Sequence, residues 1–218
     1  MFSRNTVADI RQELIRLLAE KQFVTDKSGV NMIEISNASF IADEPSIFGT
    51  VNHDYVLREL SWYYSQSLNV NDIAGGPPTI WKLVADKDGF INSNYGWCIF
   101  SEKNFNQYEK VLNELKTSPT SRRAIMIYTR PTMWYDYNVN GRSDFMCTNA
   151  VQYMIRNNKL QTIVQMRSND VLFGYKNDYA WQRNIHEKLA DDLNVDPGDI
   201  HWNVGSLHVY EKHFHLVK

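Results

Sequence analysis

Apolar and polar positions along the chain recur with two different periods, and these periods predict both helices and strands. Apolar side chains at helical spacing predict helices over 6–19, 54–65, 104–115 and 179–193. Shorter apolar runs predict strands over 32–40, 46–51, 124–128, 150–155, 160–166 and 205–210. The segment 69–79 is rich in Asn, Gly and Pro, which favours a loop.

One predicted helix, 54–65, carries an acidic residue among apolar neighbours. Leu57, Leu60 and Tyr64 lie near one face of this helix, and we expect that face to pack inward. Glu59 lies between them. Most glutamates on helices are solvated, so the pattern alone favours a surface position for Glu59.

Composition limits the kinds of protein that this chain can be. Its 218 residues, 43% of them hydrophobic, are enough for one domain with a sizeable core. A net charge of -2 argues against a large nucleic-acid footprint, so we expect no DNA partner. Two cysteines far apart favour a reducing compartment. No apolar run approaches bilayer length and no signal-peptide core is present, so we expect a cytoplasmic protein without a membrane partner.

The stretch 143–182 concentrates the candidate chemistry. Cys147 stands at the start of one apolar run, and Arg167 closes the next. If the two runs form adjacent strands, the thiol and the guanidinium lie side by side. A neighbouring cation lowers the pKa of a thiol and makes it a better nucleophile. The other cysteine, Cys98, lies among bulky apolar residues, which predicts a buried and inert thiol.

These residues also carry a resemblance. The segments MCTNAVQY (146–153) and QMRSNDVLFGYKNDYA (165–180) resemble the nucleophile and nucleotide-binding segments of thymidylate synthases. They are similar in particular to the deoxycytidylate (dCMP) hydroxymethylase branch known from bacteriophages, and the similarity runs from about residue 24 to residue 210. The resemblance implies an α/β (α+β) fold with a mixed β-sheet flanked by helices. It implies one catalytic domain over 1–218.

The resemblance assigns residues to the nucleotide. Cys147 matches the nucleophile, and Glu59 in RELSW matches a glutamate that organises catalytic water. The matched nucleotide-binding positions are Lys27, Arg122, Arg123, Gln152, Arg167, Ser168, His208 and Tyr210. In the family, the arginine pair reaches the nucleotide phosphate of a partner subunit, which implies a homodimer. For Lys27 a solvated loop lysine remains an equal alternative, and for His208 and Tyr210 a structural pair does.

The resemblance also assigns residues to a reduced folate. The matched positions are Trp81, Asp170, Phe173 and Gly174. Thymidylate synthases usually carry a second tryptophan three residues after the first, where this chain has Val84. The smaller side chain leaves room for water near the transferred carbon. This difference favours hydroxymethyl transfer over methyl transfer.

Asp178 decides between cytosine and uracil. Thymidylate synthases carry asparagine at this position, which complements the N3–H and O4 of uracil. Cytosine reverses that pattern, and a carboxyl group that shares a proton complements it. Burial beside a base raises the pKa of a carboxyl, which favours the protonated form.

The resemblance therefore implies a deoxycytidylate 5-hydroxymethyltransferase that uses 5,10-methylenetetrahydrofolate and water, with no metal. A nucleotide-synthesis complex is a further implied partner. Two alternatives remain: a thymidylate synthase or dUMP hydroxymethylase, and an inactive nucleotide- or RNA-binding relative. Family members continue past the late His-x-Tyr motif with a tail that closes over the folate, and this sequence stops at Lys218. Thr148 also replaces the histidine that usually follows the family's cysteine.

Overall fold

The computed structural model describes residues 4–218, which form two compact units. The first unit comprises residues up to 51 together with 156–218, and the second comprises 52–155. The sequence predicted one domain over 1–218, and the number of domains stays a prediction. Within the described residues, no helix has the length and apolarity needed to cross a membrane.

The first unit is a mixed sheet with two long helices, one near its start and one between its last two strands. Its elements are α1 (Val7–Ala19), β1 (Val24–Thr25), β2 (Asn31–Ile41), β5 (Lys159–Asp170), α7 (Gly174–Leu193) and β6 (Asp196–Tyr210). The strand order is β1-β2-β6-β5. β1–β2 and β2–β6 pair antiparallel, whereas β5 and β6 pair in parallel. The predicted mixed sheet with flanking helices is confirmed.

Local sequence explains how α1 begins. Thr6 accepts a hydrogen bond from the backbone N–H of Asp9, and the Asp9 side chain accepts one from the Thr6 N–H. This reciprocal capping box satisfies two N–H groups that the first helical turn leaves unpaired. Ile10, Leu14 and Leu17 then bury one face of the helix, whose span of 6–19 was predicted.

The second unit is mostly helical. Its elements are α2 (His53–Ser65), α3 (Thr79–Val84), α4 (Tyr95–Phe100), α5 (Gln107–Thr117), β3 (Ile125–Ile127), α6 (Met133–Asp136) and β4 (Thr148–Arg156). β3 and β4 pair antiparallel. Gly96 in α4 lies so close to α2 that an added Cβ would stand 1.8 Å from the Tyr63 carbonyl oxygen. Glycine is therefore required where these two helices meet.

Two local predictions were wrong. The segment 46–51 is a loop rather than a strand, because the Ser46 hydroxyl donates to the carbonyl oxygens of Phe48 and Gly49 and Gly49 adopts a φ of 69°. The predicted inward face of α2 is also wrong. Leu57 is 65% exposed and Tyr64 is 40% exposed, whereas Glu59 is buried.

Candidate active site

Cys147 immediately precedes β4 and is the more accessible of the two cysteines. Its side chain is half-buried, whereas Met146 and Thr148 on either side are fully buried. The Thr148 hydroxyl donates to the Tyr95 hydroxyl at 2.9 Å. Cys98 is buried as predicted, and burial raises its pKa to about 12. Burial and a raised pKa therefore disfavour Cys98, and accessibility favours Cys147 as the reactive thiol.

Glu59 is a buried carboxyl at the centre of a small aromatic cluster. It is 3% exposed, on the inner face of α2. Tyr55, one helical turn earlier, donates its hydroxyl to Glu59 Oε1 at 2.5 Å, and the Trp81 indole N–H donates to the same oxygen at 2.8 Å. Burial raises the pKa of Glu59, and the two hydrogen bonds partly offset that effect. A carboxyl with a raised pKa holds and releases a proton nearer to neutral pH than an ordinary glutamate does.

Trp81 lies in α3 and packs against α2. Its ring meets the edge of Trp62 with the centroids 5.4 Å apart. On the same short helix, Ile80 and Leu83 are 60% and 70% exposed. The indole therefore holds Glu59, while exposed apolar side chains flank it. The predicted contact between Trp81 and a folate stays a prediction.

Asp170 ends β5 and organises the start of α7. Its Oδ1 accepts the backbone N–H groups of Leu172, Phe173 and Gly174 at 3.0, 2.7 and 3.3 Å. A carboxylate at this place satisfies the unpaired donors of a helix N-terminus. The helix begins at Gly174, five residues before the predicted start at 179. Asp178, which the sequence placed just before this helix, consequently lies within α7, and that prediction was wrong.

A chain of side-chain hydrogen bonds sets the orientation of the Asp178 carboxyl. The Trp202 indole N–H donates to Asn169 Oδ1 at 3.3 Å, and Asn169 Nδ2 donates to Asp178 Oδ2 at 2.7 Å. An indole nitrogen only donates, so the Asn169 oxygen must face Trp202 and its NH₂ group must face Asp178. Oδ2 of Asp178 is therefore an acceptor, and any proton on this carboxyl resides on Oδ1.

Gly174 provides the space for this pair. A Cβ at Gly174 would stand 3.1 Å from Asn169 Nδ2 and 3.7 Å from Asp178 Oδ2. The neighbouring Phe173 is 54% exposed and meets the His213 ring edge to face, 5.1 Å between centroids. Gly174 thus supports the Asp178 geometry. Its predicted role beside a folate, like that of Phe173, stays a prediction.

The ends of β5 and β6 lie side by side in the first unit. In their parallel register, Ser168 faces Ser206 and Asp170 faces His208. The rings of His208 and Tyr210 meet at 5.0 Å, and His208 is 7% exposed. The predicted nucleotide positions on these two strands are therefore neighbours. Arg167 is exposed on β5, and its predicted proximity to Cys147, which lies in the second unit, stays a prediction.

The predicted phosphate-binding residues outside β5 are exposed. Lys27 lies in the turn 26–30, which the Asp26 carboxyl closes by accepting the N–H groups of residues 28 and 30. The side chain of Arg123 is 81% exposed and pairs with Glu114 at 2.9 Å. The Gln152 amide donates to the Arg122 carbonyl oxygen at 2.7 Å, which ties β4 to the arginine pair.

Sequence reasoning missed Tyr55, Asn169 and Trp202. Tyr55 was detectable, since it precedes Glu59 by four residues and therefore shares its helical face. Asn169 was visible only as a polar residue after Arg167. Trp202 has no local signal, because it reaches Asn169 only through the pairing of β6 with β5.

No group of three or more His, Cys, Asp or Glu side chains in residues 4–218 forms a candidate metal site.

Comparisons with known proteins agree on one family. The thymidylate synthase family model matches residues 44–218. The deoxycytidylate 5-hydroxymethyltransferases of Enterobacteria phages T6 and T4 are 59% and 58% identical to this chain, over 97% of it and 89% of each relative. Among solved structures, the thymidylate synthase of T4 phage superposes with a TM-score of 0.75 at 22% identity, covering 94% of this chain and 77% of that one.

Proposed function

We propose that this chain, which belongs to the thymidylate synthase family, transfers a hydroxymethyl group to position 5 of deoxycytidylate. The co-substrates are 5,10-methylenetetrahydrofolate and water, and the products are 5-hydroxymethyl-dCMP and tetrahydrofolate. The observation that carries the proposal is the Asp178 carboxyl, held in one orientation by Asn169.

Base selection follows from that orientation. Cytosine presents an N4 amino donor and an N3 acceptor at its recognition edge, and uracil presents the reverse. A protonated Asp178 offers one acceptor and one donor, and Asn169 determines the oxygen on which each resides. A carboxyl free to exchange its two oxygens would serve either base. Because Asn169 fixes which oxygen of Asp178 donates and which accepts, the site favours cytosine over uracil. A site with mismatched buried donors rejects the wrong base strongly.

The chemistry begins at Cys147. Its thiolate adds to C6 of the pyrimidine, and the ring becomes an enamine that is nucleophilic at C5. C5 then bonds the one-carbon unit of the folate, and the proton at C5 leaves. Departure of tetrahydrofolate leaves an exocyclic methylene; water adds to it and the C6–S bond breaks. The covalent route divides one difficult substitution into easier steps.

Glu59 is assigned to the proton transfers of the water step. Its raised pKa and its two donors, Tyr55 and Trp81, suit a group that takes a proton from water as the new C–O bond forms. Val84 replaces a large side chain at the family's second tryptophan position and leaves space for that water.

The remaining assignments concern binding. Arg167, Ser168 and Lys27 bind the phosphate, with Arg167 also keeping Cys147 ionised, and His208 and Tyr210 bind the sugar 3′-hydroxyl. Gln152 contacts the base. On the folate side Trp81 packs against the pterin and Asp170 orients it, with Phe173 and Gly174 alongside. Arg122 and Arg123 reach the phosphate of a second subunit, so the active form is a homodimer, and the reaction takes place in the cytoplasm.

A product assay tests the proposal. Purified protein is mixed with methylenetetrahydrofolate and either dCMP or dUMP, and both the folate and the nucleotide products are identified. Hydroxymethyl-dCMP with tetrahydrofolate is the expected result. Dihydrofolate would indicate methyl transfer, turnover of dUMP alone would indicate the other base, and no turnover would indicate a binding protein; each contradicts the proposal.

Substitution of the nucleophile provides the largest expected effect. Cys147→Ser should abolish turnover while dCMP binding persists, because a serine hydroxyl is far less nucleophilic than a thiolate. Cys98→Ser is the matched control, and it should leave turnover per binding site unchanged since Cys98 is buried. Turnover by Cys147→Ser at the wild-type rate would contradict the assignment of Cys147 as the nucleophile.

A further inference from the structure

The segment that leads into Cys147 contains a buried carboxyl with an unusual set of partners. Asp144 is 6% exposed and lies three residues before Cys147. Its Oδ2 accepts the backbone N–H groups of Asn92 and Ser93 at 2.6 and 2.9 Å, and its Oδ1 accepts the Ser93 hydroxyl at 2.6 Å. A carboxylate with three short donors is held far more rigidly than an apolar side chain at the same place.

Asn92 extends this attachment to the backbone around Asp144. Its Nδ2 donates to the Asp144 carbonyl oxygen at 3.0 Å, and its Oδ1 accepts from Arg142 at 2.8 Å and from Arg130 at 3.2 Å. Arg142 also pairs with Asp86 at 3.0 Å, and both side chains are largely buried. The approach to Cys147 is therefore tied down by side-chain and backbone contacts together.

The residue after Cys147 is tied to the same segment. Thr148 is fully buried, and its hydroxyl donates to Tyr95, three residues beyond Asn92. Residues 92–95 thus hold the chain at Asp144 on one side of the cysteine and at Thr148 on the other. Between these two points Met146 is fully buried, and only Phe145 and Cys147 are partly exposed.

This arrangement is costly for stability. Burial raises the pKa of Asp144 although three hydrogen bonds oppose the shift. Ionising Asp144 at neutral pH therefore costs folding free energy that an apolar residue would not cost. The presence of a buried charge at Asp144 is therefore better explained by the geometry that it enforces than by a gain in stability.

We propose that residues 92–95 form a two-ended clamp, holding Asp144 and Thr148, that positions Cys147 Sγ for addition to the pyrimidine. Asp144 and Thr148 are positioning residues, since they act through the chain that carries the thiol. The clamp rests on the proposed function only in that Cys147 is the nucleophile.

Two opposite effects test the clamp. Releasing either end should lower turnover per dCMP-binding site by about 10-fold or more, because small misplacements of a reacting group cost up to about 100-fold. The same release should speed alkylation of ligand-free Cys147 by iodoacetamide by about threefold or more, since local opening exposes the thiol. The variants are Asp144→Asn, Asp144→Ala and Thr148→Val, with binding sites counted by dCMP titration and the alkylated residue identified by mass spectrometry.

Matched controls separate positioning from a general loss of structure. Thr148→Ser keeps the hydroxyl and should restore turnover. Asp192→Asn changes a carboxyl that pairs with Lys188 on α7, outside the clamp, and Tyr153→Phe removes a buried hydroxyl that has no hydrogen-bond partner in the described part of the chain. Both controls should leave alkylation and turnover per site unchanged.

Unchanged turnover and alkylation in Thr148→Val and Asp144→Asn would overturn the clamp, even if Asp144→Ala does not fold. The alkylation result does not depend on the substrate. If wild-type protein converts dUMP and not dCMP, and the released variants convert dUMP more slowly and alkylate faster, the proposed function fails while the clamp stands.

Discussion

Glu59 in the second unit and Asp178 in the first are both carboxyls linked to a tryptophan, but the links differ. The Trp81 indole donates directly to Glu59, and Tyr55 donates to the same oxygen. The Trp202 indole reaches Asp178 only through the Asn169 amide. Glu59 is buried, whereas Asp178 is half-buried.

The difference separates two tasks of a carboxyl group. Direct donors and burial act on the proton affinity of Glu59, which suits proton transfer. An amide between indole and carboxyl acts on orientation, because it presents its donor to one oxygen of Asp178. We therefore expect changes near Glu59 to alter rate and pH dependence, and changes near Asp178 to alter the choice of base.

Among substitutions at these two carboxyl sites, Glu59→Gln should have the largest effect on turnover. Glutamine accepts from Tyr55 and Trp81 as glutamate does but cannot take a proton, so turnover should fall by about 10² to 10⁴-fold. The variant should nevertheless be more stable at neutral pH. Burial holds the pKa of Glu59 above 4.5, so the wild type loses unfolding free energy as pH rises from 4.5 through that raised pKa.

Urea unfolding across this pH range measures the difference in unfolding free energy between Glu59→Gln and the wild type. The gain in the variant should be absent below pH 4.5 and complete above the raised pKa of Glu59. Glu109→Gln on α5, an exposed glutamate, is the control and should show no such trend. A Glu59→Gln variant that turns over normally would remove Glu59 from the proton transfers.

Asp178→Asn should change selectivity more than rate. An asparagine amide complements uracil, so the ratio of kcat/KM for dCMP to that for dUMP should fall by about 10²-fold or more. Steady-state kinetics with both nucleotides measures the ratio. An unchanged preference would contradict the assignment of Asp178 to the base.

Substitution of the two tryptophans should change different properties, the pH profile in one variant and the base preference in the other. Trp81→Phe removes a donor from Glu59, which raises the pKa of Glu59 further and moves the acidic limb of the rate profile to higher pH, with selectivity unchanged. Trp202→Phe frees Asn169 to turn, which should lower the dCMP preference about 10-fold without moving the pH profile. Kinetics of both variants over pH, with both nucleotides, measures the two effects. If each variant moved both properties, the separation of tasks would be wrong.

Gly174→Ala should have the smallest effect. Its Cβ would stand 3.1 Å from Asn169 Nδ2, so the amide must shift by a few tenths of an ångström. The dCMP preference should fall only a few-fold, while unfolding free energy should hold or rise, since alanine is favoured over glycine in helices by up to about 1 kcal/mol. Nucleotide competition and urea unfolding measure the two quantities, and a large loss of stability would show that the space at Gly174 serves packing instead.

Local sequence predicted elements where one pattern dominates. α1 follows its capping residue Thr6 and fills the predicted range 6–19, and β2, β4 and β5 cover the predicted runs. α2 has nearly the predicted bounds but the wrong inner face, because a buried glutamate lies where apolar counting expects a hydrophobic residue. α7 begins early because Asp170 supplies acceptors to its first turn, an effect of a single carboxylate that periodicity does not register.

The sequence by itself determined the family, and it singled out Cys147 and the carboxyl that we assign to base selection, because each lies in a short contiguous motif. Only the tertiary structure decided what holds those groups. Trp202 reaches Asn169 through strand pairing, Trp81 reaches Glu59 from another helix, and Asp144 meets residues 92 and 93 across some fifty positions of sequence. Hydrogen bonds between segments so far apart depend on how the chain packs, and no local pattern records that.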